Sequence, residues 1–485
     1  MNTHKRNIGL LLLLYWIFSG PIAAQSVEAL KKEAQQGDAD AQFRLAALYF
    51  SGAEGKQRLP EALEWLQKSA QQGNSEAQYN LGILYLQGTL VSQDYEQAEK
   101  WLRKSAKQGF TEAQNNLGML YLEGKGVTQD YQQAFQWFEK CAQKSFAGGQ
   151  YNLGRLYEEG QGVPQDYQQA FEWYQKSAKQ GFAESQNSLG LLYSKGQGVT
   201  QDHQQAFDWF QKSAQQDYAG AKYNLGMLYL EGQGVTQDYQ QAFKWIEQAA
   251  QQGLATAQHT LGTFYMEGLG VPQDLLRAIS WYNKSAQQGY APSQSNLGLF
   301  YLQGRGITQD DEQASMWLQK SAQQGFAEAQ SVLGILYLQG RGVTQDDEQA
   351  FKWFQKSAIQ HNANAQNNLG MLYYEGMGVA QDHTQALKWF QKSAAQHNVD
   401  AQNNLGMLYY NGEGASQDYT QAIRWFQKSA QQGNAKGQYY LGQMYLKGEG
   451  IEQNTQLAKK WLQKSAAQGN ANATKLLNND PLLQE

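Results

Sequence analysis

The chain has 485 residues, 39 lysines and arginines against 44 aspartates and glutamates, and a formal charge of −5. A mildly acidic chain without basic blocks excludes nucleic acid and anionic lipid as natural partners. A single cysteine, Cys141, excludes a disulfide framework.

The first residues differ from all that follow. His4, Lys5 and Arg6 precede an apolar run from Ile8 to Phe18, then Gly20, Pro21, Ala23 and Ala24. This order of charged, apolar and small residues predicts a signal peptide over 1–24, cleaved after Ala24. The run is shorter than the roughly 20 apolar residues a membrane span needs. Cleavage leaves 37 basic and 44 acidic residues, a charge of −7, on an exported chain, periplasmic or secreted, with no membrane insertion. Residues 25–37 read as an N-terminal capping helix. The first loop, Gly52 to Pro60, lacks the Gln-Asp pair found in later ones.

From 38 to 469 the chain repeats itself. Twelve tryptophans stand 36 residues apart, from Trp65 and Trp101 to Trp461, and Leu81-Gly82 recurs at the same period as far as Leu441-Gly442. An unbroken period of this length marks a helical repeat array. In the unit that begins at residue 74, Ala77, Leu81, Leu84 and Tyr85 give the inward stripe of a first helix. A Gly-x-Gly-Val-x-Gln-Asp loop, Gly124 to Asp130 in the next copy, supplies glycines for positive φ. Asp130 then caps the second helix, and Gln133 is expected to complete a capping box. Ala98 and Ala106 hold slots that are alanine in all twelve copies, so paired helices approach closely, with Trp101 and Tyr85 expected to fill the space between them. Cys141 occupies a slot held elsewhere by serine, as at Ser105, and reads as a small buried side chain.

The residue after each second helix changes along the chain. It is aromatic at Phe110, Phe146, Phe182, Tyr218, Tyr290 and Phe326, and polar at Asp38, Asn74, Asn362, Asn398, Asn434 and Asn470. The polar set predicts a looser, wetter wall towards both ends. Residues 470–485 form a C-terminal capping helix and tail.

Residues Ala113, Leu117, Gly118, Tyr121, Gly124, Gly126, Val127, Asp130, Ala134, Trp137, Lys140 and Ala142 resemble the Sel-one-like repeat family, similar to tetratricopeptide repeats. The resemblance covers roughly residues 26 to 478. It implies an all-α, right-handed superhelical solenoid of about twelve helix-turn-helix repeats, acting as an adaptor or scaffold for other proteins. Secreted bacterial members are associated with envelope maintenance, regulation and host-cell interaction.

No catalytic, cofactor or metal site is expected. None of the six histidines pairs with another at i, i+4. The Gly-x-Gly loops lack the strand and third glycine of a dinucleotide site. A cysteine-rich branch of the family has been linked to beta-lactam binding and hydrolysis. This chain lacks paired cysteines and any Ser-x-x-Lys, so a peptidoglycan-associated or beta-lactam-binding envelope hydrolase is the weaker alternative.

By the same resemblance, slots on the outer side of the first helix line a concave surface. The candidate partner-binding residues are Tyr79, Asn80, Asn116, Tyr151, Asn152, Tyr223, Asn224, Asn296, Asn368 and Asn404. Amides carry donors and acceptors for an extended backbone, and neighbours such as Met119, Met227, Met371 and Met407 make an adaptable lining. The competing reading packs the apolar slots against the next repeat. On the groove reading, alanine at Asn116, Asn152 and Asn224 weakens binding without lowering Tm.

Overall fold

A computed structural model describes residues 27–52 and 57–484. The signal peptide, its cleavage site and residues 53–56 of the first loop lie outside them. The described residues form twenty-seven helices and no strand. They fall into two compact units, one ending at Trp245 and the other beginning at Ile246. Each unit is a solenoid of stacked helix hairpins. All helices are 13 residues long except Val27–Gln35, Ala471–Asn479 and Pro481–Gln484 at the ends. Thirteen residues span about 20 Å, so every repeat contributes the same thickness.

The loops follow from their glycines and aspartates. Gly124 ends the helix Thr111–Glu123 at φ 67°, and its N–H returns to the Leu120 carbonyl. Gly126, at φ 72°, has a second constraint: a Cβ there would lie 2.3 Å from the carbonyl oxygen of Tyr95, one repeat back. Asp130 caps Tyr131–Gln143 by accepting from the backbone N–H groups of Gln132 and Gln133. The reciprocal half of the expected capping box does not form. The Asp130 N–H donates instead to the Tyr121 carbonyl at 2.9 Å, and the bond recurs at Asp166–Tyr157 and Asp346–Tyr337. The short loop brings the cap against the first helix, so the Gln133 side chain has no N–H left to serve.

The core corrects the expectation for the tryptophans. The residue after each one goes deepest: Phe138, Tyr174, Phe354 and Leu462 are fully buried. These side chains lie against the glycine of Leu-Gly. A Cβ on Gly118 would stand 2.6 Å from the Phe138 ring, and one on Gly370 2.7 Å from Phe390. That glycine provides space rather than a turn. The tryptophans are shallower and span repeats: Trp353 joins Leu318 of the preceding repeat to Leu336 of its own. In eleven repeats the lysine three residues on sits 3.9–4.7 Å from the ring centroid, as Lys176 does over Trp173. The ammonium covers the ring face that packing leaves open.

Polar side chains stitch neighbouring repeats through the interior. Gln78 is buried; its Nε2 donates to the Ala70 carbonyl at 3.0 Å, and its Oε1 accepts from Gln108 at 2.8 Å. Gln366 does the same with Ala358 and Gln396. In these two amides a donor and an acceptor are matched, which removes the cost of burying them; Gln114, where Lys144 replaces the partner glutamine, keeps its donor bond to Ala106 but leaves Oε1 unpaired. Ser105 Oγ donates to the Ser75 carbonyl at 2.7 Å, a bond repeated by Ser177, Ser285 and Ser465. Cys141 lacks it and bonds the Phe138 carbonyl within its own helix at 3.2 Å. It is fully buried, as a small side chain should be, and desolvation pushes its thiol up to about 12.

Candidate functional site

The candidate asparagines and tyrosines lie along the first helices, where successive repeats meet. The helix period brings the Asn80 slot of one repeat against the Tyr79 slot of the repeat before. Asn152 Nδ2 donates to Asn115 Oδ1 at 2.9 Å, Asn224 to Asn187 at 2.9 Å, and Asn404 to Asn367 at 3.0 Å. Asn116 hydrogen-bonds the Tyr79 hydroxyl, and Asn296 bonds that of Tyr282. Asn80 turns back to the Glu76 carbonyl of its own helix at 2.9 Å. Asn152 is buried; Asn116 and Asn224 are half-buried. Alanine at Asn152 and Asn224 would remove inter-repeat bonds, so a lowered Tm is expected of the triple change.

The tyrosines divide in the same way. Tyr79 meets Phe110 at 5.0 Å between centroids, and Tyr151 lies between Tyr174 at 5.7 Å and Phe182 at 5.5 Å. Desolvation raises the Tyr79 and Tyr151 hydroxyl pKa values, so both rings stay neutral. Tyr223 is half-buried. His259 fills the same slot one repeat later. It lies 5.3 Å from both Tyr282 and Tyr290, with Nδ1 2.8 Å from Ser293 Oγ, and burial lowers its pKa to about 4.

The slot that changes from aromatic to polar has a definite role in both forms. It is the N-cap of the first helix. Asn362, Asn398, Asn434 and Asp38 each accept the N–H three residues on, at 2.7–2.9 Å. Phe110, Phe146, Phe182 and Phe326 have no side-chain cap bond. The polar residues are therefore bonded caps.

Within the C-terminal unit two hollows open on the first-helix face. One, of about 400 Å³, is lined by Ile335, Leu338, Asn368 and Met371. The other, of about 490 Å³, takes its lining from Met371, Asn404, Met407, Lys436, Tyr439 and Tyr440. Asn368 and Asn404 thus reach space a ligand can enter, whereas Asn152 and Tyr151 are held between repeats. Sequence reasoning missed Lys436 and Tyr440. Their signal was a departure from the repeat: the slot that holds asparagine at 404 holds tyrosine at 440.

Among the described residues, no cluster of histidine, cysteine, aspartate and glutamate has the makings of a metal site. No helix there is long and apolar enough to cross a membrane. The faces offer amides, thioethers and aromatic rings, which is the chemistry of binding.

The Sel1 repeat signature matches twelve consecutive segments, from 39–74 to 435–470. Among solved structures, the chain is similar to c5321, a protective antigen present in uropathogenic Escherichia coli strains displaying an SLR fold. The two are 38% identical, the match covers 93% of this chain and 97% of that one, and the TM-score is 0.67. A Sel1 repeat protein from Oxalobacter formigenes is 35% identical over 67% of this chain and 93% of its own, with a TM-score of 0.51. No curated protein gives a significant match. With residues 39–470 accounted for by matched repeats, this chain belongs to the Sel1 repeat family, whose members are generally non-catalytic scaffolds that bind other proteins.

Proposed function

We propose that the chain is an exported, non-enzymatic scaffold whose partner proteins dock on the face made by its first helices. The observation that carries this reading is the lining of the two hollows in the C-terminal unit. Met371 and Met407 offer polarisable, adaptable surface beside the amides of Asn368 and Asn404. Such a mixture suits a protein surface, where apolar anchors and backbone groups arrive together. Nucleic acid is a poor match for a chain of net charge −5.

Export rests on the N-terminal pattern of His4 to Ala24. The similar Escherichia coli protein is described as a protective antigen, which supports a place outside the cytoplasm for this chain too. Affinity capture from the envelope fraction, run with the native chain and with Met371→Glu/Met407→Glu, tests the docking face. The native chain should retain a partner that the double variant releases, while both keep the same helical circular dichroism. Equal retention by both would sink the proposal. A fluorescent beta-lactam should leave the chain unlabelled; a covalent adduct would move the weight to the hydrolase alternative.

A further inference from the structure

Within the C-terminal unit the asparagine pairing of Asn404 with Asn367 does not continue to the next repeat. Asn115, Asn187 and Asn367 each receive an N–H from the asparagine 37 residues on. The next step should join Asn403 to residue 440, but that residue is tyrosine. The Tyr440 ring lies on Phe426, centroids 5.1 Å apart and 20° from parallel, and abuts Tyr439 at 5.0 Å. Asn403 is left 4% exposed, with its Oδ1 buried and unpaired. A buried acceptor without a donor is costly, and Asn403 borders the hollow of about 490 Å³.

We propose that this hollow receives a tryptophan or tyrosine side chain of a docked partner, with a carboxylate beside it in the partner's sequence. The inference rests on the docking reading above and names the anchor that face would take. Met371, Phe390 and Met407 give an apolar, sulfur-bearing wall that favours an aromatic ring. Asn403 Oδ1 lacks a donor, and when its amide turns toward the hollow an indole or phenol supplies one on an otherwise apolar body. Lys436, exposed at the rim, is the one charged side chain of the lining, and it calls for a carboxylate. A sugar fits less well, because its many hydroxyls would be stripped of water against methionine and phenylalanine. The size falls in the usual range of small-ligand sites, about 300–1,000 Å³.

The test uses the full chain as recovered from cells and ligand-observed NMR with small probes. N-acetyltryptophanamide should bind, and its indole N-methyl counterpart at least tenfold more weakly. Acetyl-Trp-Glu-amide should bind a few-fold tighter than acetyl-Trp-Gln-amide, and Lys436→Ala should erase that difference. Tyr440→Asn restores the amide pairing present at three other steps, so it should fold normally and lose the probe at least tenfold. Equal binding of the N-methyl probe, full binding by Tyr440→Asn, or tighter binding of an N-acetylglucosamine trimer would each overturn the proposal. A partner captured through Met371 and Met407 but no indole binding would defeat the anchor alone. Indole binding without any captured partner would defeat the docking reading instead.

Discussion

The central repeats and the last ones close the same junction with different chemistry. At Phe110 and Phe182 a ring stands at the N-cap and packs on Tyr79 or Tyr151, and the helix start goes without a side-chain acceptor. At Asn398 and Asn434 the cap is bonded, and the amide nitrogen also reaches Asn364 or Asp400 of the preceding repeat, at 2.9 and 3.0 Å. A ring occupies volume that an amide leaves open. Asn470 accordingly lines the larger hollow of the C-terminal unit. One slot therefore decides both how a helix begins and whether space remains beside it.

The largest effect tests whether the two regions share one core. Phe210 and Phe390 are both 1% exposed and lie against Gly190 and Gly370 in the same manner. Alanine at either should cost about 3–5 kcal/mol. Urea unfolding of each variant should give matching losses. A much smaller loss at Phe390 would mean that the amide-capped repeats already unfold separately, and the shared-core comparison would fail.

Acid should separate the regions. His259 belongs to an aromatic junction, among Tyr282, Tyr290 and Ser293, and burial holds its pKa near 4 against an ordinary 6.5. The unfolded chain then binds more protons than the folded one between those values. Stability contributed there is full above pH 6.5, is lost as pH falls, and levels off below about 4. The loss should be on the order of 2 kcal/mol, partial exposure having reduced it. His259→Asn should flatten the dependence between pH 7 and 4.5, and an unchanged slope would place the acid sensitivity elsewhere.

Smaller effects sharpen the contrast in caps. Asn398→Ala removes a bonded cap and should cost about 1 kcal/mol, whereas Phe146→Asn supplies one in a repeat where Asn115 holds the slot that is Tyr79 or Tyr151 in its neighbours. The gain and loss at Phe146 should nearly cancel. Hydrogen exchange in the first turns of Val399–Asn411 and Ala147–Glu159 reads both changes directly. A large destabilisation by Phe146→Asn would show that ring burial, not capping, governs that junction.

Much of this was legible in the sequence because it is periodic. The period of 36 placed both helices, Asp130 announced its cap, and the loop glycines announced positive φ. What periodicity conceals is depth. Trp137 recurs without exception while the Phe138 slot varies among Phe, Tyr, Leu and Ile, yet only helix geometry shows that Phe138 faces Gly118 while Trp137 looks across to its neighbour. Gln78 recurs with Lys222 as its one exception, and a glutamine in sequence gives no sign of burial, since its partners stand 8 and 30 residues away. The asparagines looked like a free row for the same reason. Their bonds to the preceding repeat span 37 residues, one more than the period, and a register reading compares only like with like.

Cys141 offers the finest test of how closely packed the central repeats are. The thiol stands in a serine slot, and Gly149 faces it where every other repeat except that of Gly437 holds alanine or serine; a Cβ there would lie 2.3 Å from the sulfur. The larger atom and the missing methyl compensate each other. With the thiol buried and pushed up to about 12, an aromatic disulfide reagent at pH 8 should react only when the repeat opens. Cys141→Ser restores a hydroxyl that can donate to the Thr111 carbonyl, as Ser105 donates to Ser75 at 2.7 Å. It also leaves a small void beside Gly149, so the net change should stay within about 0.5 kcal/mol. Adding Gly149→Ala to Cys141→Ser should then stabilise the repeat, because the methyl fills that void. On the native cysteine the same substitution should destabilise it, and equal effects in both backgrounds would show that the two side chains do not share a space.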